Sequence, residues 1–112
     1  MGYINKPLSK LDIGDLNRKY GAYFKITVNI ETGELVAGCE LHVDGEDVLL
    51  QKGGLGSDIW GGGIDVVNKS IDSIAVLNLR PSLGNDSMEI LDSLRRKKFY
   101  NVVERVFSEL WK

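Results

Sequence analysis

The stretch Ile74 to Ser87, IAVLNLRPSLGNDS, joins the sharpest structural pattern in the chain to side chains suited to chemistry. Ile74 to Arg80 is rich in β-branched and aliphatic residues and reads as a strand. Side chains alternate along a strand, so Ala75, Leu77 and Leu79 share one face, and Ile74, Val76, Asn78 and Arg80 the other. The first face predicts packing against a helix. The second turns polar toward its end. Pro81 lacks a backbone N–H and biases Arg80 to an extended conformation, so the strand is expected to stop there. Ser82, Gly84, Asn85, Asp86 and Ser87 then supply turn chemistry. A guanidinium at a strand end offers a planar fork of donors to a carboxylate or phosphate. Asn78, Arg80, Asn85 and Ser87 are therefore the candidate ligand-binding set. The competing role is structural, with Arg80 pairing locally and Asn85 and Ser87 shaping the turn.

Outward from this stretch, the pattern predicts five further elements. Ser9 is an N-cap with Asp12 three residues on and Leu8/Ile13 as a hydrophobic staple, giving a helix from Lys10 to Tyr20. Phe24, Ile26, Val28 and Ile30 alternate with polar residues as a half-buried strand. Glu31-Thr32-Gly33-Glu34 is a hairpin turn, and the return strand runs from Leu35 to Val43 with Leu35, Ala37, Cys39, Leu41 and Val43 toward the core. Residues 44–58 read two ways: Asp44 caps a helical turn, or Val48-Leu49-Leu50 is an edge strand. The glycines at 53, 54 and 56 make a connector, lacking the Lys-Ser/Thr ending of a P-loop. Ile59 to Val67 is a strand broken by Gly61-Gly62-Gly63, which implies a bulge or a closely approached backbone. It forms a second hairpin with the Ile74 strand. Asp92 caps a last helix, Ser93 to Leu110, whose stripe of Leu94, Phe99, Val102, Val103, Val106, Phe107 and Leu110 is core.

The predicted fold is α+β over residues 1–112 as one domain. A mainly antiparallel four-stranded sheet of two hairpins is flanked by a short N-terminal and a long C-terminal helix. The chain is 43% hydrophobic and 27% charged with a net charge of −2, ordinary for a globular domain. Residues 31–72 hold nine acids against Lys52 and Lys69, so no clustered basic face marks a nucleic-acid partner. Cys39 is the single cysteine, which excludes an internal disulfide and a cysteine zinc cluster. No apolar signal segment opens MGYINKPLSK, and no run has membrane-spanning length. The expectation is a cytoplasmic protein with no membrane partner.

With the helices on one face, the opposite sheet face is expected to gather Lys25, Thr27, Asn29, Glu40, His42, Asp44, Asp65, Asn78 and Arg80. Two chemistries compete there. Glu40, His42 and Asp44 are weak metal candidates, because i, i+2, i+4 spacing along a strand spans more than one ion accepts. Alternatively His42 is a general base oriented by a carboxylate such as Glu40, with Arg80 and Asn78 holding an anion. No serine or cysteine nucleophile stands in a recognised setting.

The box Asn78-Leu79-Arg80-Pro81-Ser82-Leu83-Gly84-Asn85-Asp86-Ser87 is preceded by Gly38 to Asp44 and Ile59-Trp60-Gly61. Together they resemble a family of small prokaryotic proteins of unknown function carrying an N-x-R-P-x-x-G-N-x-S box. The resemblance covers most of the chain. It implies a compact cytoplasmic α+β protein with no established activity, and an Asp-Pro start to the last helix where this chain has Asp92-Ser93. Three functional readings follow. The first is a non-catalytic binding or assembly module, self-associating as a homodimer through the polar face or a sheet edge. The second is a small enzyme or anion-binding protein built on His42 and Arg80. The third is a regulatory partner such as one member of a toxin–antitoxin pair. The sequence does not say which cofactor, if any, the protein uses.

Overall fold

In the computed structural model, which describes residues 1–112, the chain is α+β with an antiparallel sheet of five strands and three α-helices. In chain order these are β1 (Gly2–Ile4), α1 (Lys10–Tyr20), β2 (Tyr23–Asn29), β3 (Leu35–Ala37), α2 (His42–Gln51), β4 (Ile59–Asp65), β5 (Ser70–Asp72) and α3 (Ser93–Val106). The sheet order is β1-β3-β2-β4-β5. No helix is long and apolar enough to cross a membrane.

Local chemistry sets several of these elements as predicted. Ser9 Oγ accepts the Asp12 N–H at 3.1 Å and the Asp12 carboxylate accepts the Ser9 N–H, a reciprocal cap that starts α1. Asn29 Oδ1 accepts the N–H groups of Glu31 and Thr32, closing the β2–β3 hairpin with Gly33 at φ 82°. Asp92 caps α3 by accepting the Arg95 N–H at 2.8 Å. Phe99, Val102, Val103, Val106 and Phe107 of the predicted stripe are core and Leu110 packs against them, but Leu94 is exposed. α3 ends at Val106, short of the expected Leu110, and a 3₁₀ turn, Ser108–Trp111, follows.

Four further expectations are corrected. The sheet has five strands, not four: Gly2–Ile4 adds an edge beside β3, too short to show a period. The return strand stops at Ala37 rather than Val43, because Gly38 turns to φ 77° and the Tyr20 ring occupies the space of its missing side chain. Ile74 to Arg80 is not a strand. It is a single bridge, Ile74 to Glu89, then 3₁₀ turns at Val76–Asn78 and Pro81–Leu83. The partner of β4 is Ser70–Asp72. Finally, the sheet is covered on both faces. α1 and α3 pack on Phe24, Ile26, Val28, Leu35 and Ala37, while α2 lies on Val36 and Ile59 through Leu49. Cys39 and Leu77 belong to the α2 side, not to the α3 side that sequence phasing assigns them. Thr27 and Asn29, expected on an open polar face, are buried beneath α2.

The triple glycine is a close approach, not a bulge. β4 pairs with β2 in unbroken register from Tyr23/Asp65 to Asn29/Ile59. A Cβ on Gly61 would stand 2.8 Å from both His42 Cδ2 and Ala75 Cβ, and one on Gly62 would stand 2.6 Å from Phe99 Cζ. The Tyr23 ring fills the same place over Gly63.

Phe107 is fully buried in the larger core beside Phe24. Phe107→Ala is expected to cost about 3–5 kcal/mol, read as a lowered midpoint in urea unfolding. A wild-type midpoint for that variant would refute the packing of α3 on this face.

Candidate functional site

Two places gather the side chains that the sequence singles out. The first is the Asn78–Ser87 box. Asn78 is fully buried, and its amide sits against the free edge of β4. Its Oδ1 accepts the Gly61 N–H at 2.8 Å, and its Nδ2 donates toward the carbonyls of Gly61, Ser73 and Met88 at 2.9–3.0 Å. Asn85, also buried, works the same way one layer out. Its Nδ2 faces the carbonyls of Asn78, Ser87 and Glu89, and its Oδ1 accepts the Leu91 N–H. Ser87 Oγ accepts the Glu89 N–H at 3.1 Å. Both asparagines thus commit their amide N–H donors and their carbonyl oxygen to the surrounding backbone.

Arg80 is held equally firmly. One guanidinium nitrogen donates to the carbonyls of Gly56 and Ile59 at 2.7 and 2.8 Å, and the other pairs with Glu46 at 2.7 Å. Its Cζ stands 5.0 Å from the centre of the Trp60 ring, as does that of Arg95. Burial pulls the Arg80 pKa down and Glu46 pushes it back up, so the group stays cationic. This guanidinium locks the connector after α2, the start of β4 and α2 itself to one point. Sequence reading missed Glu46 and Trp60 as its partners, since neither contact has a local signature.

The second place is a groove of about 500 Å³ lined by Lys25, Leu41, His42, Val43, Val76 and Leu77. Leu41 is the N-cap of α2, and the Asp44 carboxylate accepts its N–H at 3.3 Å. Asp44 therefore acts from the third helical position instead of capping a turn that starts at Gly45. This shift carries His42 off the sheet and onto the first turn of a helix. His42 Nε2 lies 2.7 Å from the Gly62 carbonyl. A carbonyl only accepts, so Nε2 carries the proton and Nδ1 keeps its lone pair. Nδ1 makes no hydrogen bond and is not sealed from solvent. Burial holds the His42 pKa below its ordinary value, and the Lys25 charge adds to this against the Gly62 and Asp72 contributions.

The structure separates what the sequence places together. His42 lines the groove and Arg80 does not. No carboxylate bonds to the His42 ring. Glu40 is exposed, and its backbone carbonyl accepts from Lys25 Nζ at 2.7 Å. Glu40, His42 and Asp44 do not converge as a three-ligand metal cluster. Asp65, predicted on the same face, caps the β4–β5 turn by accepting from Val67 and Asn68. Leu41, Val43 and Val76, the apolar rim, were read as strand residues. Their exposure, 58%, 52% and 73%, carries no local sequence signal.

These features define a class: an α+β domain with a five-stranded antiparallel sheet covered on both faces, carrying one apolar groove at the start of its middle helix. Residues 2–106 match the model of a family described as protein of unknown function, DUF5674, and the chain belongs to that family. No curated protein and no solved structure matches the chain.

Two measurements test this description. Arg80→Lys keeps the charge but not the planar fork, so it is expected to lower stability by roughly 2 kcal/mol with no ligand present. Asn78→Ala strands several buried backbone groups and is expected to cost more, about 3 kcal/mol or above. Chemical denaturation of the two variants would show the order reversed if Asn78 were not the main anchor. The His42 pKa gives a pH test. Its folded-state value is depressed, so the unfolded chain takes up the proton first as pH falls. Stability is therefore lost from about pH 6.5 downward until the folded pKa is passed. His42→Gln should flatten that part of the melting-temperature profile. Parallel profiles for wild type and variant would mean that the ring is freely solvated.

Proposed function

We propose that the protein is a non-catalytic binding module, and that it binds through the groove at the start of α2. The observation that carries this reading is the groove's makeup: four of its six lining residues are apolar, and three of those are more than half exposed. Large aliphatic side chains left open around a concavity of this size are what a ligand site requires. The Asn78–Ser87 box then serves as a folding element that holds Val76 and Leu77 in place as one wall of the groove. Its internally satisfied asparagines and the Arg80–Glu46 pair support that role.

Self-association by strand pairing has less to work with. The two sheet edges, β1 and β5, are three residues each, which leaves little ladder to extend. The polar sheet face invoked for assembly lies under α2. A catalytic role for His42 has one favourable feature, the oriented and open Nδ1, but no partner carboxylate and no nucleophile stand with it.

The test is a thermal-shift screen of small amphipathic compounds on wild type and Val76→Asp. Val76 is exposed, so the substitution should leave the unliganded protein within about 0.5 kcal/mol of wild type. Binders at a hundredfold excess over Kd should stabilise wild type by about 2.7 kcal/mol and the variant not at all, and mass spectrometry should recover them unchanged. Equal stabilisation of both proteins would move the site elsewhere, and turnover of a bound compound would make the protein an enzyme.

A further inference from the structure

We propose that the ligand of this groove is a small organic acid, with its apolar body on Leu41, Val43, Val76 and Leu77 and its carboxylate on the Lys25 ammonium. The proposal rests on the groove being the binding site, as argued above, and adds the chemistry of what fills it.

Charge complementarity carries the argument. Lys25 is the one cationic side chain in the lining, and no acid lines the groove with it. Four ion pairs form in the molecule, and Lys25 is in none of them. Its Nζ donates to a neutral acceptor, the Glu40 carbonyl at 2.7 Å. An ammonium has three donors, so two N–H groups and the full charge remain for a ligand. That carbonyl also fixes where the ammonium sits, which removes much of the entropic cost of ordering a lysine at a binding site.

Filling the groove would strip water from this charge. A neutral apolar ligand leaves the ammonium dehydrated and unpaired, which costs binding energy. A cationic ligand adds repulsion. A carboxylate offsets the loss with a charge-assisted hydrogen bond while its apolar body covers the rim. His42 is consistent with this. Its proton is committed to the Gly62 carbonyl, so Lys25 supplies the only ionic anchor when the imidazole is neutral. The volume of about 500 Å³ lies in the range of small-molecule sites.

The experiment uses three probes of equal chain length, octanoate, octanol and octylamine, below their micellar concentrations at pH 8. Calorimetry or thermal shift is run on wild type, Lys25→Met and Val76→Asp, with sedimentation of each protein alone. The expected result is octanoate binding at least tenfold tighter than octanol, with octylamine weakest. Lys25→Met should bring octanoate down to the octanol level, and Val76→Asp should lose both. Octanol binding as tightly as octanoate to wild type would overturn the acid and leave the groove reading standing, a comparison that needs no variant to fold. Octanoate preference surviving in Lys25→Met would also overturn it. No binding of any probe would remove the groove reading itself. A wild-type dimer that Val76→Asp converts to monomer would show a second copy of the chain covering the rim, and the small-acid proposal would fall.

Discussion

The amide of Asn78 does the work of a missing strand. β5 covers β4 only as far as Gly63, which leaves the N–H and carbonyl of Gly61 pointing at nothing along the sheet. Asn78 meets both with one planar group, donor to carbonyl and acceptor to N–H, in the geometry a sixth strand would have used. An unpaired buried backbone pair costs several kilocalories. The chain satisfies it with a side chain, and so the backbone of residues 74–91 is free to rise off the sheet. Everything distinctive about the molecule follows from that substitution. The segment coils into 3₁₀ turns, Asn85 ties the coil to itself, and Val76 and Leu77 come to rest opposite the first turn of α2.

The same fact explains what the sequence could and could not disclose. Elements whose signals are local were legible. The Ser9/Asp12 cap starts α1 at Lys10, Asp92 caps α3, and the Phe24–Ile30 alternation marks β2. The Ile74–Arg80 alternation was just as regular and misled. Side-chain amides compete with the backbone for its own ladder, and a pattern of apolar residues does not reveal which will win. Val76 is exposed and Asn78 is buried, the reverse of what hydrophobicity implies. At Gly38 the failure had a different cause. One residue at positive φ ended the strand, and every parity assignment after it, from Cys39 to Asp44, was lost with the register.

The candidate site was half legible for related reasons. Arg80, Asn78 and Asn85 stood out because their chemistry is unusual beside a proline-ended apolar run. That chemistry turns inward, toward carbonyls and toward Glu46. His42 was singled out as the lone histidine, and it does line the groove, but on a helix rather than a strand. Lys25 was placed on the correct face of β2 by alternation alone. Its neighbours across the groove come from segments whose conformations the pattern missed, so the concavity itself was invisible.

The triple glycine has a consequence for the order of assembly. A strand with three consecutive residues lacking side chains has poor intrinsic β-propensity, and between Trp60 and Ile64 β4 has no side chain of its own to bury. β4 is an interior strand nonetheless, and its glycine stretch is furnished by borrowed groups: His42 and Ala75 over Gly61, Phe99 over Gly62, Tyr23 over Gly63. Those groups come from both sides of the strand in sequence, and Phe99 lies far downstream in α3. This interior strand thus cannot mature in advance of the helices that flank it. The fold is built to form as one cooperative unit, with long-range contacts setting its pace. A chain arrested before α3 would hold an interior strand without its Phe99 cover, a state exposed to aggregation instead of a stable half-domain.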